Sequence, residues 1–475
     1  MANRRQFLKT CLAGAGAAFV KPALSSWADH ATPSSDPWDA LPAILARIHP
    51  PVFPNRDFAI TKYGAVGNGK TDNTDAFARA IAACNAGGGG RVTVPEGEFL
   101  TGAIRLKSNV NLHTSSGTTI RFTRDIRKYP LVFTRWEGME LMNFSPLIYA
   151  FEEENIALTG PGIIDGNADC EHWWPWKGRE HCGWNAGQSS QAKDRVTLFD
   201  MAESGVPVKE RVFGEGHYLR PQFIQPYRCK NVLMEGVTLK NSPMWQVHPV
   251  LCTNVTVRNM TITGASDNRD AGPNTDGCDP ESCTDVLIKD CSFNTGDDCI
   301  AIKAGRNADG RRVNVPSQNI VIQGCHMRDG HGGVTIGSEI SGGVRNVFAE
   351  NCRMDSPRLD IALRVKNNAM RGGILENIFV RDIEVGQVGM AGLAIDFYYE
   401  EGEAGKFTPV VRNVEVRNLT ADSAQYALYL RGFKNAPIEN VRLADCNLKE
   451  VKKPNVIENV KNLALKNVRV NGKLL

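Results

Sequence analysis

The chain has 475 residues, of which 42% are hydrophobic, enough for a large core, and 23% are charged. It carries 55 Lys and Arg against 52 Asp and Glu, a formal charge of +3, so no broad basic field marks it as a nucleic-acid binder. No run of about 18 apolar residues follows the N-terminus, which excludes a simple helical membrane span.

The N-terminus reads Asn3-Arg4-Arg5-Gln6-Phe7-Leu8-Lys9, which resembles a twin-arginine export motif with Asn3 where Ser or Thr is usual. A short apolar run, Cys11 to Val20, and small residues around Ser26-Trp27-Ala28 complete the pattern of a cleaved leader. Residues 1–28 are therefore expected to be a signal peptide, and the protein to fold in the cytoplasm and work in the periplasm or outside the cell. The leader holds four basic residues and no acidic one, which leaves 51 basic against 52 acidic residues. An anionic partner must then be attracted locally. Residues 29–55, rich in Pro and Ser, read as a linker or loose strap. Asp72 to Asn85 is predicted to be a helix, with Asp72 as N-cap and Ala76, Phe77, Ala80, Ile81 and Cys84 as its apolar stripe. It would cover the end of the fold. The glycine run 87–90 ends it and lacks the Lys-Ser/Thr of a phosphate loop.

A stretch of about 166–216 departs from its surroundings. It holds His172, Trp173, Trp174, Trp176 and Trp184 and reads as a loop insertion. Two uses of the tryptophans are open: packing the loop down, or forming a wall on which sugars stack. Cys170 and Cys182 lie here, outside any repeat, and their pairing is likewise open.

The second half is a degenerate repeat. Its units begin at Asn231-Val232, Asn254-Val255, Asp285-Val286, Asn319-Ile320, Asn346-Val347, Asn377-Ile378, Asn413-Val414, Asn440-Val441 and Asn459-Val460. As far as Asn440 the spacings are 23, 31, 34, 27, 31, 36 and 27 residues, the signature of stacked coils. Within each unit apolar residues alternate with period two and are often β-branched, so the coils are made of strands. Variable loops and the lack of a four-strand blade signature favour an all-β parallel β-helix over a propeller. The recurring Asn suits a turn with left-handed backbone that bonds its stacked neighbours. Cys229, Cys252 and Cys283, and Cys291, Cys325, Cys352 and Cys446, recur in register and are expected to be small buried hydrophobes.

Four polar segments interrupt this pattern: Asn274-Thr275-Asp276-Gly277, Gly296-Asp297-Asp298-Cys299, Gly330-His331-Gly332-Gly333 and Arg364-Val365-Lys366. Each alone is weak. Asp276 to Asp297 is 21 residues, Asp298 to His331 is 33, and His331 to Arg364 is 33, each compatible with one coil. Consecutive coils would then line up three carboxylates beside three potential cations. Close carboxylates raise one another's pKa, which suits acid–base work on a glycosidic bond. Asp297 and Asp298 can share a face only if the backbone bends between them, since adjacent strand residues point opposite ways.

These four motifs, in this order, resemble glycoside hydrolase family 28, the polygalacturonase family, as do Gly330 to Ser338 and Tyr63 to Asp72. The resemblance spans roughly residues 57 to 470. It implies a single-stranded right-handed parallel β-helix of the pectin-lyase-like kind and cleavage of α-1,4-galacturonosidic bonds with inversion, without cofactor or metal. It assigns the general acid to Asp297, water activation to Asp276 and Asp298, support of the acid to His331, and grip of a substrate carboxylate to Arg364 and Lys366. Tyr399 corresponds to a substrate-contacting tyrosine. The partner implied is an acidic, galacturonate-containing saccharide; rhamnogalacturonan- or xylogalacturonan-directed action stays open, as does the oligomeric state. A calcium-dependent pectate lyase and a non-catalytic polysaccharide binder are the rivals, and the Gly-His-Gly segment speaks against the lyase. The insertions at 166–216 and 303–318, the latter with Arg306, Arg311 and Arg312, are expected to close one end of the cleft and give chain-end attack.

Overall fold

A computed structural model describes residues 36–178, 181–264 and 272–475. The chain divides into two compact units, Met1–Asp39 and Ala40–Leu475. The expected leader, and residues 29–35 of the strap, lie outside the described residues.

The second unit is a right-handed parallel β-helix. The repeat read from the sequence is its strand register: Val232 pairs with Val255, then Val286, Ile320, Val347, Ile378, Val414, Val441 and Leu463, all in parallel strands. A second column runs up another face through Ile104, Ile148, Ile224, Val247, Cys278, Ile300, Val334, Leu363, Leu393 and Leu428. Every member of this second column is buried. Burying one such side chain contributes at most about 1.5–3 kcal/mol, so the columns hold the coils in register. Residues one step away on the same strands point outward, and the polar motifs occupy those outward places or the bends beside them.

The turn asparagines form a ladder. Each Asn of the repeat has positive φ, from 52° to 60°. Each side-chain amide donates to the Asn oxygen of the coil before it: Asn155 to Asn109, Asn231 to Asn155 and Asn254 to Asn231, and again Asn346 to Asn319, Asn377 to Asn346, Asn413 to Asn377 and Asn440 to Asn413, at 2.8–3.1 Å. The ladder ends on Asn462, which donates to Asn440. Asn459, read from the sequence as the last copy, instead donates to the Gly432 carbonyl. Asp285 breaks the ladder because a carboxylate has no proton to give Asn254. The break is covered by residues 46–50: Arg47 holds Asp285 at 2.8 Å, and the His49 amide donates to Asn254 Oδ1.

The covering helix runs Thr74–Ala86 and buries the five predicted residues. Its start differs from the expectation. Asp72 lies outside the helix, accepting from the Thr74 amide at 2.9 Å, while Asn73 at the cap position turns its amide into the coil, where it bonds Val66, Thr71 and Leu100. At the far end the chain closes with a short antiparallel pair, Arg469–Val470 with Lys473–Leu474.

Two excursions leave the regular coils. An antiparallel hairpin, Leu131–Trp136 with Met139–Phe144, turns at Glu137-Gly138. The insertion carries a helix, Ala192–Glu203, and a disulfide between Cys170 and Cys182. Its tryptophans pack the loop down: Trp173 is fully buried, and Trp176 sits 4.8 Å from Trp173 and 5.2 Å from Tyr218.

Candidate functional site

Strand Ser292–Asn294 ends before Asp297, and strand Ile300–Ile302 begins after Asp298. The two aspartates therefore occupy a bend, which resolves the clash between adjacent strand residues. Thr295 donates its hydroxyl to the Asp297 carbonyl at 2.6 Å, and the Asp298 amide donates to Asp297 Oδ1 at 2.9 Å. Asp276 arrives from the coil below, and one carboxylate oxygen of each of Asp276, Asp297 and Asp298 lies within 4.8 Å of the others. His331 comes from the coil above, its Nδ1 2.8 Å from Asp297 Oδ1. Gly332 is required beside it: a β-carbon there would lie 2.8 Å from Asp298 Oδ1 and 2.1 Å from the Thr335 hydroxyl. Arg364 and Lys366 stand two apart on strand Leu359–Lys366 and share its outward face. Lys366 Nζ is 2.7 Å and Arg364 3.3 Å from Asp298. The Tyr399 ring lies under both cations, at 5.2 and 5.7 Å. The structure thus brings together all seven residues singled out in the sequence.

Their electrostatics differ from the simple expectation that the carboxylates raise one another. Burial pushes Asp297 upward, but His331, Lys366 and Arg364 outweigh it and hold its carboxyl well below the ordinary range. Burial likewise opposes the charge of Asp298, and Lys366 and Arg364 bring its pKa down. Asp276 goes the other way: burial, then Asp297 and Asp279, push it well above the usual value. Close cations outweigh burial at Asp297 and Asp298, whereas at Asp276 the more distant Lys303 does not outweigh burial and the neighbouring carboxylates. Among the described residues Asp276 Oδ1 has no hydrogen-bond partner, and Lys303 stands 3.6 Å from the other oxygen. By count alone three converging carboxylates could cradle a divalent ion, but an ion there would adjoin Lys366, Arg364 and Lys303.

A cavity of about 420 Å³ opens on this cluster. Asp276, Asp297, Lys366 and Tyr399 line it, together with residues that the sequence motifs did not mark. Lys303 sits over Trp245, 4.1 Å from the ring centre, and is 3.2 Å from Glu339 and 3.8 Å from Asp279. Burial disfavours its charge, yet Glu339, Asp279 and Asp276 raise its pKa. Period two was the missed signal: with Ile300 and Ile302 inward, Lys303 falls on the outer face. Glu137, at the hairpin tip, faces Arg195 of the insertion helix at 2.8 Å and Arg306 at 3.4 Å. Gly138 permits this meeting, since a β-carbon there would lie 2.6 Å from the Arg306 amide nitrogen. Arg306 also reaches Glu339 and Glu400, at 3.3 Å each. Both insertions therefore wall the cavity, but Arg306 alone of the three arginines lines it. Arg312 pairs with Glu140 and Asp309, while Arg311 stacks on Phe407 and donates to the Met370 carbonyl. The insertion's tryptophans do not line it either; Trp245 does.

Comparison with known proteins identifies the family of the chain as a whole. The family described as Glycosyl hydrolases family 28 matches residues 214–468. A hyperthermoactive exopolygalacturonase from Thermotoga maritima, known from its crystal structure, is 46% identical, with 92% of this chain and 96% of that one covered and a TM-score of 0.88. A probable polygalacturonase from Vitis vinifera is 27% identical over 82% of this chain and 74% of its own length. An exo-poly-alpha-D-galacturonosidase from Dickeya chrysanthemi is 26% identical over 82% of this chain and 66% of its own.

Proposed function

The chain belongs to glycosyl hydrolase family 28, and from that premise we infer that it is a glycoside hydrolase cutting polygalacturonate from chain ends. The observation that carries this reading is the three-aspartate cluster opening into a cavity that both insertions wall. The partner is an acidic galacturonate saccharide. Arg364 and Lys366 take one substrate carboxylate, where the planar guanidinium can bind in bidentate fashion. That event bears on the acid. Arg364 and Lys366 help to keep Asp297 ionised, so an anion bound to them offsets their field and lifts the Asp297 pKa toward the range in which it can carry a proton. Asp297, with His331 on its Oδ1, then protonates the leaving oxygen, while Asp276 and Asp298 activate water. Asp276, raised in pKa, is the stronger base of the two once ionised.

Inversion is the stereochemistry proposed. The nearest oxygens here converge more closely than the separation of about 6.5–9.5 Å usual between the carboxyl groups of inverting enzymes, so the product anomer needs direct measurement. NMR of the first product from trigalacturonate, read before mutarotation, is expected to show the anomer opposite to the bond cut. Chain-end attack is expected to release monomer from the first minutes while polymer viscosity falls slowly. A retained anomer would overturn the assignment of water activation, and an early viscosity collapse with mixed oligomers would overturn the chain-end reading. The twin-arginine-like leader supports export to the periplasm or beyond, where plant cell-wall pectin is met.

A further inference from the structure

The cations of the cavity are not equivalent. Lys177, Arg195, Lys303, Arg306 and Lys366 line it. Arg195 is matched to Glu137, Lys303 to Glu339, Arg306 to Glu137, Glu339 and Glu400, and Lys366 to Asp298. Lys177 has no carboxylate at ion-pair distance among the described residues. Its ammonium donates to a neutral acceptor, Asn274 Oδ1, at 2.8 Å. Arg220 donates to the same oxygen at 2.8 Å, which sets two cations on one amide. Burial, then Arg220, pulls the Lys177 pKa below its ordinary value. An ammonium has three protons to give, so at least one donor remains for a ligand facing the cavity.

Position adds a second argument. Asn274 Nδ2 lies 3.3 Å from Asp297 Oδ2, so Lys177 stands one amide away from the reacting carboxylates. It comes from the insertion, at the level of the Asp276 coil. Arg364 and Lys366 come from a strand several coils further along the axis. A galacturonan carries a carboxylate on each sugar flanking the bond to be cut, and three catalytic aspartates repel both. Resting on the galacturonan-hydrolase reading, we propose that Lys177 receives the carboxylate of the chain-terminal galacturonate, while Arg364 and Lys366 receive that of the sugar across the scissile bond.

The test uses digalacturonate and its two analogues in which one or the other carboxyl is reduced to an alcohol. On the wild-type enzyme each reduction is expected to lower kcat/KM by about tenfold or more. Lys177→Gln keeps a donor for Asn274 and removes the charge. It is expected to abolish the penalty for the analogue reduced at the chain-terminal sugar and leave the other intact, with Lys177→Arg restoring both; loss of the other penalty instead would overturn the assignment. Arg364→Ala is expected to reduce the complementary penalty, with Lys366 still present, and to leave the one assigned to Lys177 intact. If Lys177→Gln loses the same factor on all three substrates, Lys177 serves only to hold Asn274, and the proposal falls. It also falls if both penalties keep their wild-type size. Lys177→Met, read in the same assay, decides the matter should the Gln variant misfold. A wild-type enzyme that leaves digalacturonate and longer galacturonate oligomers uncut would instead sink the substrate reading itself.

Discussion

The floor and the wall of the cavity are built in opposite ways. The floor, from Asp276 to Lys366, is made by successive coils of one regular solenoid, so each group sits on a paired strand or on the bend beside one. The wall is made by a hairpin tip, an insertion helix and the Lys303–Arg306 segment that leads into a short helix at Asn307–Val313, held to one another by the ion pairs Arg195–Glu137 and Arg306–Glu137. Regular coils place charged groups on a fixed lattice, about 4.8 Å per coil and about 3.3 Å per residue along a strand. The wall is free of that constraint, and on the proposed chain-end reading it is where the polymer terminus would be met. The floor should therefore govern chemistry, and the wall should govern which part of the polymer is presented.

The largest effects are expected on the floor. Asp297→Asn, Asp298→Asn and Asp276→Asn should each lower kcat by about 10²–10⁴-fold, the range of a lost acid or base, with the fold intact by circular dichroism. Near-normal turnover in any purified variant would remove that residue from the mechanism. Glu137→Ala, on the wall, should by contrast leave bond cleavage in small oligomers largely intact.

Next comes the cationic strand. Arg364→Ala or Lys366→Ala should weaken action on acidic oligomers by about 2–5 kcal/mol, as for truncating one partner of a buried charge pair. Because Lys366 also touches Asp298 at 2.7 Å, part of the loss will be common to neutral, carboxyl-reduced oligomers. The excess on the acidic substrate is the binding part. Equal losses on both would make the two residues structural and would assign carboxylate recognition to the wall.

The same contrast explains how much could be read in the sequence. Floor residues announce themselves because each coil repeats a register: Asn274-Thr275-Asp276, Gly296-Asp297-Asp298, His331 and Arg364 fall one turn apart. The family resemblance then joined Tyr399 to them. Lys303 and Asp279 were legible too, since alternation from Cys278 and Ile300 sends both outward, but neither sits in a conspicuous motif. Glu137, Lys177, Arg195 and Arg220 were not. Each is a single charged residue in a segment whose path depends on tertiary packing, and nothing local distinguishes it from a solvated surface charge. The ladder's last step at Asn462, rather than Asn459, shows the same limit in miniature: both have positive φ, and only stacking decides between them.

A smaller effect concerns stability. The Asp276 pKa is raised in the folded protein, so its contribution is fully present below the ordinary carboxylate pKa of about 3.9 and is lost as pH rises through the raised value. Asp276→Asn removes that buried charge and should stabilise the protein by about 1–3 kcal/mol on the alkaline side. The gain should shrink as the pH falls and the wild-type carboxyl takes up its proton. Asp298 is the control with the opposite sign: its depressed pKa contributes stability above the ordinary value that is lost as pH falls through the depressed one. Thermal melts of both Asn variants across pH check this. A stabilisation by Asp276→Asn that does not depend on pH would mean that the cluster does not strain this residue.

The smallest effect expected is that of removing divalent ions. A lyase on this fold would use calcium held by carboxylates, and Asp276, Asp297 and Asp298 converge within 4.8 Å, close enough to serve. The groups around them decide otherwise. Lys366 already occupies one oxygen of Asp298 at 2.7 Å, Arg364 approaches the other at 3.3 Å, and Lys303 lies 3.6 Å from Asp276. A doubly charged ion would have to displace or adjoin three cations, two of them ammonium groups whose pKa the carboxylates raise. At such distances two unit charges repel by about 4 kcal/mol even at an effective dielectric constant of 20, and a doubly charged ion is repelled by each cation about twice as strongly. Dialysis against a chelator should therefore leave the hydrolytic rate unchanged, and products should lack the ultraviolet absorbance of an unsaturated uronate. Activity lost on chelation, restored by calcium and accompanied by that absorbance would show that the carboxylates serve a metal and that a side chain such as Arg364, having lost its proton, takes one from the substrate.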